Sequence, residues 1–216
     1  MKLSNLQKGL INHWMFDAAH GIKALVPNGV DGVAQGGVTI GGAADRKSKA
    51  SSATTMITND YVDFNNLYNN TTYKTASCWV RLNAQNQTAA ILGNLRSGYL
   101  DDVAYSYGKG IYVQGRLLYL FGAANHNTTA LTVSFDDTSW HHVVGVWNGA
   151  SSILYVDGIS AATGTLNDGW NYYFGIGASI QYGLNYYLNG DIADVRLYNR
   201  VLTPAEITLL KQSYFT

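Results

Sequence analysis

Charge is scarce in this chain. Only 13% of its 216 residues are Asp, Glu, Lys or Arg, and 14 basic side chains balance 14 acidic ones. A nucleic-acid binder carries a basic stripe or patch. The single basic cluster, Arg46, Lys47 and Lys49, is too short for one, so no nucleic-acid partner is expected. Glutamate is rarer still, present only as Glu206. Cys78 is the sole cysteine, which excludes an internal disulfide and leaves the redox compartment unmarked. No apolar run approaches the roughly 18 residues that cross a bilayer, so no membrane insertion is expected. The first eight residues, Met1 to Lys8, also lack the apolar segment of a secretory leader. The expectation is a protein that acts where it is made or is assembled into a larger particle, such as a virion released by lysis.

What the chain has in quantity is Gly (23) and Tyr (16), against two Pro. That balance suits many short strands joined by tight turns, and the length suits one domain spanning 1–216 with its own core. The hydrophobic period is two. Leu10 to Asp17 alternates, with Trp14 and Phe16 on one face and Met15 and Asp17 on the other. Similar runs cover 61–64, 76–82, 89–92, 111–114, 117–121, 130–135, 141–147, 153–156, 172–176 and 191–198, punctuated by Gly, Asn and Asp at sandwich-like spacing. Asp157-Gly158 between two such runs predicts a type I′ hairpin turn. Residues 18–50, rich in Gly and Ala and poor in aromatics, read as a long excursion with short strands. One helix is expected, at the C-terminus. Thr203-Pro204-Ala205-Glu206 spells a capping box with Pro at the first helical position, and Ile207, Leu210 and Tyr214 follow as one apolar stripe.

An ordered set of segments then resembles a known family. Gly9-Leu10 with His13-Trp14-Met15-Phe16-Asp17, Tyr61-Val62-Asp63-Phe64, Ala76-Ser77-Cys78-Trp79-Val80, Ser139-Trp140-His141-His142-Val143-Val144, Leu154-Tyr155-Val156-Asp157-Gly158 and Gly190 to Arg200, closing on Leu202-Thr203-Pro204-Ala205-Glu206-Ile207, look like the laminin-G-like branch of the concanavalin A-like lectin/glucanase superfamily. The resemblance implies an all-β, two-sheet antiparallel jelly-roll sandwich, one sheet concave, with first and last strands side by side and one short C-terminal helix. It also implies a setting outside cells, and together with the missing leader segment this gives a virion surface or an extracellular cell surface as the expected location. The family holds binding modules, adhesion domains and glycosidases, so the fold alone does not decide the function.

Catalysis is not expected. Glycosidases of this resemblance carry paired glutamates, whose carboxyl groups sit about 5 Å apart in the retaining mechanism; here the one glutamate is a helix cap. Ser139, His141 and Asp137 are neighbours along the chain, whereas a hydrolytic triad must converge in space, so they read as structural. The resemblance further implies a structural calcium on the convex side. Asp17 and Asp194, each of opposite parity to its apolar neighbours, would stand on the outer surface and share the ion with loop carbonyls near Gly42. A surface ion pair of Asp194 with Arg196 or Arg200 is the competing reading.

Aromatic side chains outnumber what the core needs. Trp14, Trp79, Trp140 and Trp147 fall on strands and read as core. Trp170, Tyr172 and Tyr173 lie in an Asn/Asp/Gly-rich stretch, with Tyr182, Tyr186 and Tyr187 in a second and Tyr99, Tyr105, Tyr107 and Tyr112 in a third. Aromatic faces flanked by Asn and Asp suit sugar rings and protein partners alike. Trp170, Tyr172, Tyr173, Tyr182 and Tyr186 are the candidate ligand site. Two functions fit: a non-catalytic module that recognises glycan or a surface protein, and a structural or adhesion protein of a phage-type virion working through protein contacts. Asn70, Asn86 and Asn127 match the Asn-x-Thr glycosylation pattern, which an Asn- and Thr-rich chain produces by chance.

Overall fold

The computed structural model describes residues 3–64, 73–95, 108–124, 127–167, 174–179 and 186–213. Alternating apolar residues drive two antiparallel sheets face to face, because each run has one face to bury. The strands are β1 Leu10–Trp14, β2 Val33–Gln35, β3 Thr39–Ala43, β4 Ala53–Met56, β5 Tyr61–Asp63, β6 Thr75–Leu82, β7 Gln87–Leu95, β8 Gly108–Gly115, β9 Leu117–Ala124, β10 Asn127–Ser134, β11 His141–Val146, β12 Ser152–Val156, β13 Ile159–Gly164, β14 Gly175–Ile176 and β15 Gly190–Tyr198. The first sheet runs β13-β12-β11-β6-β15-β4-β3, with β1 also on β15; the second runs β10-β9-β8-β7-β14-β5-β2. Between them lies one core that includes Trp14, Phe16, Phe64, Tyr73, Trp147 and Phe174. This is the jelly-roll sandwich the resemblance implies, with first and last strands paired.

The local predictions hold where chemistry is local. Asp157 and Gly158 both take positive φ, 54° and 80°, as a type I′ turn requires. Helix α1, Pro204–Gln212, begins on Thr203 with both capping-box bonds present. Ile207 and Leu210 are buried against Val144, Val146, Tyr155 and Tyr198 on the outer face of the first sheet, joined by Leu6 from a short 3-10 turn at Leu3–Gln7. Tyr214 lies outside the described residues. Thr203→Ala should lower folding stability by about 1 kcal/mol, the usual worth of such a cap, measurable by urea denaturation.

Parity fails along β15, as it does on β7, where adjacent Ile91 and Leu92 both join the core. Along β15, Ile192, Val195 and Leu197 join the inter-sheet core while Ala193 packs on the outer face with Trp79. A β-bulge between Ala193 and Arg196 accounts for the switch, with Asp194 as its left-handed residue, φ 51°. There β15 also changes neighbours: residues 190–192 pair with β4, and 195–198 pair with β1. The excursion over 18–50 contributes β2 and β3 and is pinned to β1 by Trp14 Nε1 donating to the Val30 carbonyl (2.8 Å) and Val30 N donating to Asn12 Oδ1 (2.8 Å).

Candidate functional site

In the second sheet, residues next to core positions point outward. The strand registers place Val33, Asp63, Gly175, Gly93, Gly110, Phe121 and Ala130 in one row across all seven strands. Three consecutive members are glycine, so the floor between a carboxylate and an aromatic ring is backbone alone, and the five residues from Asp63 to Phe121 are all buried. Gly93 has φ +153°, and a Cβ there would come within 2.5 Å of the Gly110 Cα and 2.6 Å of the Lys109 carbonyl; only glycine fits.

The next row is aromatic. Tyr112 and Tyr119 face each other across the β8–β9 hairpin and stack with ring centroids 5.0 Å apart and planes 4° from parallel. Phe121 meets Tyr112 edge-on at 5.8 Å. Phe121 and Tyr112 are buried, Tyr119 is half-buried, and Thr132, directly opposite Tyr119, is exposed. Gln114, beside this pair on β8, is half-buried. The wall therefore grades from enclosed to solvent-facing and ends in hydroxyl and amide groups. Such a surface can offer a flat apolar face to C–H groups and polar atoms to hydroxyls. At the Gly175 end, Phe64 N donates to the Phe174 carbonyl (3.1 Å); at the opposite, β10 edge of the sheet, Asn167 Nδ2 donates to the Asn127 carbonyl (2.7 Å).

Of the ligand residues expected from sequence, Trp170, Tyr172, Tyr173 and Tyr182 lie outside the described residues. So do Tyr99, Tyr105 and Tyr107 of the other cluster. Tyr186 is half-buried, and its carbonyl accepts from Ala90 N (3.1 Å), which sets it alongside β7. Tyr119 and Phe121 escaped sequence reading, which took them only as part of a strand. A signal was present: a two-residue turn at Gly115-Arg116 forces Tyr112 opposite Tyr119 and Gly110 opposite Phe121.

The expected calcium position is built differently. Asp17 and Asp194 are not surface carboxylates; they are 5% and 8% exposed, and Asp194 is buried on the outer side of the first sheet with Arg196 and His13, whose neighbours Val195 and Trp14 face the core. Asp194 N donates to the Met15 carbonyl (3.1 Å). Arg196 donates through Nε to Asp194 Oδ1 (2.7 Å) and through Nη2 to Oδ2 (2.8 Å), and His13 Nε2 donates to Oδ1 (2.9 Å). Burial opposes ionisation of Asp194, yet Arg196 and His13 hold its pKa well below the carboxylate range. Asp17 Oδ1 accepts from the backbone N and the ring Nδ1 of His20, both at 2.8 Å. Gly42 is exposed, and its neighbour Gly41 packs on Ala18. Calcium takes six to eight oxygens. Here the principal carboxylate faces a guanidinium, and no group of three or more His, Cys, Asp or Glu that could hold a metal ion occurs among the described residues. The donor set does not fit the ion.

Residues considered for catalysis are also engaged. Glu206 accepts from Arg200 Nη1 (2.9 Å) and Nη2 (2.7 Å) and from Thr203 N (2.9 Å), and Arg200 holds its pKa down at about 2. His141 bridges Asp157 (Nδ1, 2.7 Å) and Asp137 (Nε2, 3.0 Å), while the Ser139 backbone N caps Asp137 (2.6 Å). No described helix is long and apolar enough to cross a membrane.

The two-sheet antiparallel jelly roll defines the class of fold, and sequence comparison agrees. The chain belongs to the concanavalin A-like lectin/glucanases superfamily, whose family model matches residues 56–208. No curated protein sequence matches it. Several solved structures share the fold. Domain 4 of AbnA, a GH43 extracellular arabinanase from Geobacillus stearothermophilus solved in complex with arabinotriose, superposes with TM-score 0.65 at 15% identity, covering 94% of this chain and 98% of that one. The binding domain of botulinum neurotoxin DC in complex with SialylT gives 0.66 at 14%, covering 94% and 51%. Trypanosoma rangeli sialidase in complex with sialic acid gives 0.68 at 17%, covering 94% and 33%. The chain thus spans about half of the toxin domain and a third of the sialidase. At these identities the likeness is one of fold.

Proposed function

We propose that this protein is a non-catalytic module that binds glycan on the outer face of its second sheet, at a surface outside cells. The observation that carries this reading is the Tyr112–Tyr119 stack, whose half-buried Tyr119 meets solvent beside Gln114 and Thr132. Sugar rings present flat C–H faces to such a wall, and Thr132 and Gln114 supply hydroxyl and amide partners beside it. Fold neighbours solved with arabinotriose, SialylT and sialic acid support a carbohydrate ligand. Absence of turnover is supported by the chain's one glutamate being bound by Arg200 and Thr203.

The test is a glycan array followed by titration of the best ligand. Tyr119→Ala should weaken binding roughly tenfold, the loss of about 1.4 kcal/mol that one aromatic contact supplies, while leaving the melting temperature close to wild type. Hydrolysis of any arrayed glycan overturns the non-catalytic assignment. A silent array, with the protein stoichiometric in purified particles, overturns glycan binding and assigns the aromatic face to protein contacts.

A further inference from the structure

We infer that Arg196 is this chain's built-in substitute for a metal ion, a covalent cation closing the junction where the last strand passes from β4 to β1. The junction needs one positive charge. The bulge at Asp194 tucks a carboxylate inside, 8% exposed, and a buried carboxylate is tolerated only when paired and hydrogen-bonded. Arg196, two residues on and 1% exposed, supplies that charge in a two-pronged geometry that engages both oxygens. His13, directly across from Arg196 in the β1–β15 register, adds the third bond.

A divalent ion on the same carboxylate would sit within a few ångströms of the guanidinium, where like charges repel strongly in a desolvated site. The Asp17 carboxylate, the other acid expected to hold metal, caps its own turn through His20 instead. Both strands are therefore joined by a cation that dilution and chelators cannot remove. The inference is independent of the glycan reading, since the junction involves the first sheet and the aromatic face belongs to the second.

The experiment is thermal melting of the full chain in EDTA, in buffer alone and in millimolar CaCl2 or MnCl2, for wild type and for Arg196→Met. Wild type should melt at one temperature in all four media. Arg196→Met leaves Asp194 buried without its guanidinium and should melt roughly 10 °C lower, with part of the loss restored by either divalent salt and abolished again by EDTA. Asp194→Asn with Arg196→Met removes both charges and should recover stability with no response to metal. Wild-type melting lowered by EDTA overturns the inference, as does an Arg196→Met protein that melts like wild type or ignores both cations. If Arg196→Met does not fold, the wild-type chelation series and the double variant still decide.

Discussion

Acidification from neutral pH toward pH 3 should cost this fold about 5 kcal/mol through one side chain, His142. It is fully enclosed on the outer face of the first sheet, 2% exposed, with its ring centroid 5.2 Å from that of Trp79. Burial drives its pKa from 6.5 down to about 3, and although Asp194 opposes the shift, Arg196 and Arg46 add to it. In the unfolded chain the imidazole takes a proton near pH 6.5; in the folded chain it stays neutral until about pH 3. Between those values the unfolded state binds more protons, so stability is complete above pH 6.5 and drains away as pH falls, by about 1.4 kcal/mol per unit. Because a domain holds only about 5–15 kcal/mol in all, much of the fold's reserve is spent by pH 3.

Other groups sort by sign. His13 is lowered by burial, more than Asp194 can offset, and works in the same direction as His142. Glu206, held at about 2 by Arg200, contributes stability above its ordinary 4.5 that is lost as pH falls through 2. His141 runs the other way. Burial alone would lower its pKa, but the bonds to Asp157 and Asp137 raise it on balance, so its contribution is present below pH 6.5 and fades as pH rises through the raised value. Urea denaturation at pH 7.5, 5.5 and 4.5 measures the sum. His142→Leu should flatten the slope by about one proton in that window. An unchanged slope would assign the acid lability to other groups, His13 first.

Trp14→Ala should cost about 4 kcal/mol, the upper range for deleting a large aromatic from a core. Trp14 is fully buried, 4.4 Å from Phe64 and 6.1 Å from Phe174 between ring centroids. Its indole N–H also anchors Val30 in the excursion, so truncation opens a cavity and leaves that carbonyl without its donor. Phe64 follows Asp63 and Phe174 precedes Gly175, two members of the row on the opposite face. Loss of Trp14 should therefore loosen the floor of the binding face as well as the core. Trp14→Phe keeps most of the volume and should cost about half as much. Guanidinium denaturation gives the stabilities, and a Trp14→Ala loss below about 1 kcal/mol would mean the neighbouring rings collapse into the space.

Legibility followed the range of the interactions involved. The hairpin turn at Asp157-Gly158 and the box at Thr203–Glu206 were readable because every group that makes them lies within four residues. The excursion reads as short-stranded and does contribute β2 and β3, but the Ala-Thr-Thr-Met of β4 carries little period and gives no strand signal. Lys109 shows the opposite limit. A lysine in an alternating strand reads as solvent-facing or neutral to the argument, yet here it is fully buried, its Nζ donating to the Tyr73 carbonyl (2.6 Å) and Tyr73 Oη donating back to the Lys109 carbonyl (2.9 Å). Its partner is 36 residues away, and nothing local announces it.

From the order of its residues alone, this chain commits to an all-β sandwich closed by a capped helix, and it withholds the paired glutamates of a glycosidase. Period-two alternation and short-range capping carry that much, because both act between near neighbours. The tertiary structure alone decided the rest. It set three glycines from three strands side by side, faced Tyr119 with Tyr112, and, with one left-handed residue at Asp194, buried an expected surface carboxylate against Arg196. Strand register and bulges are settled by contacts between distant segments, and a one-residue shift moves every later side chain to the other face.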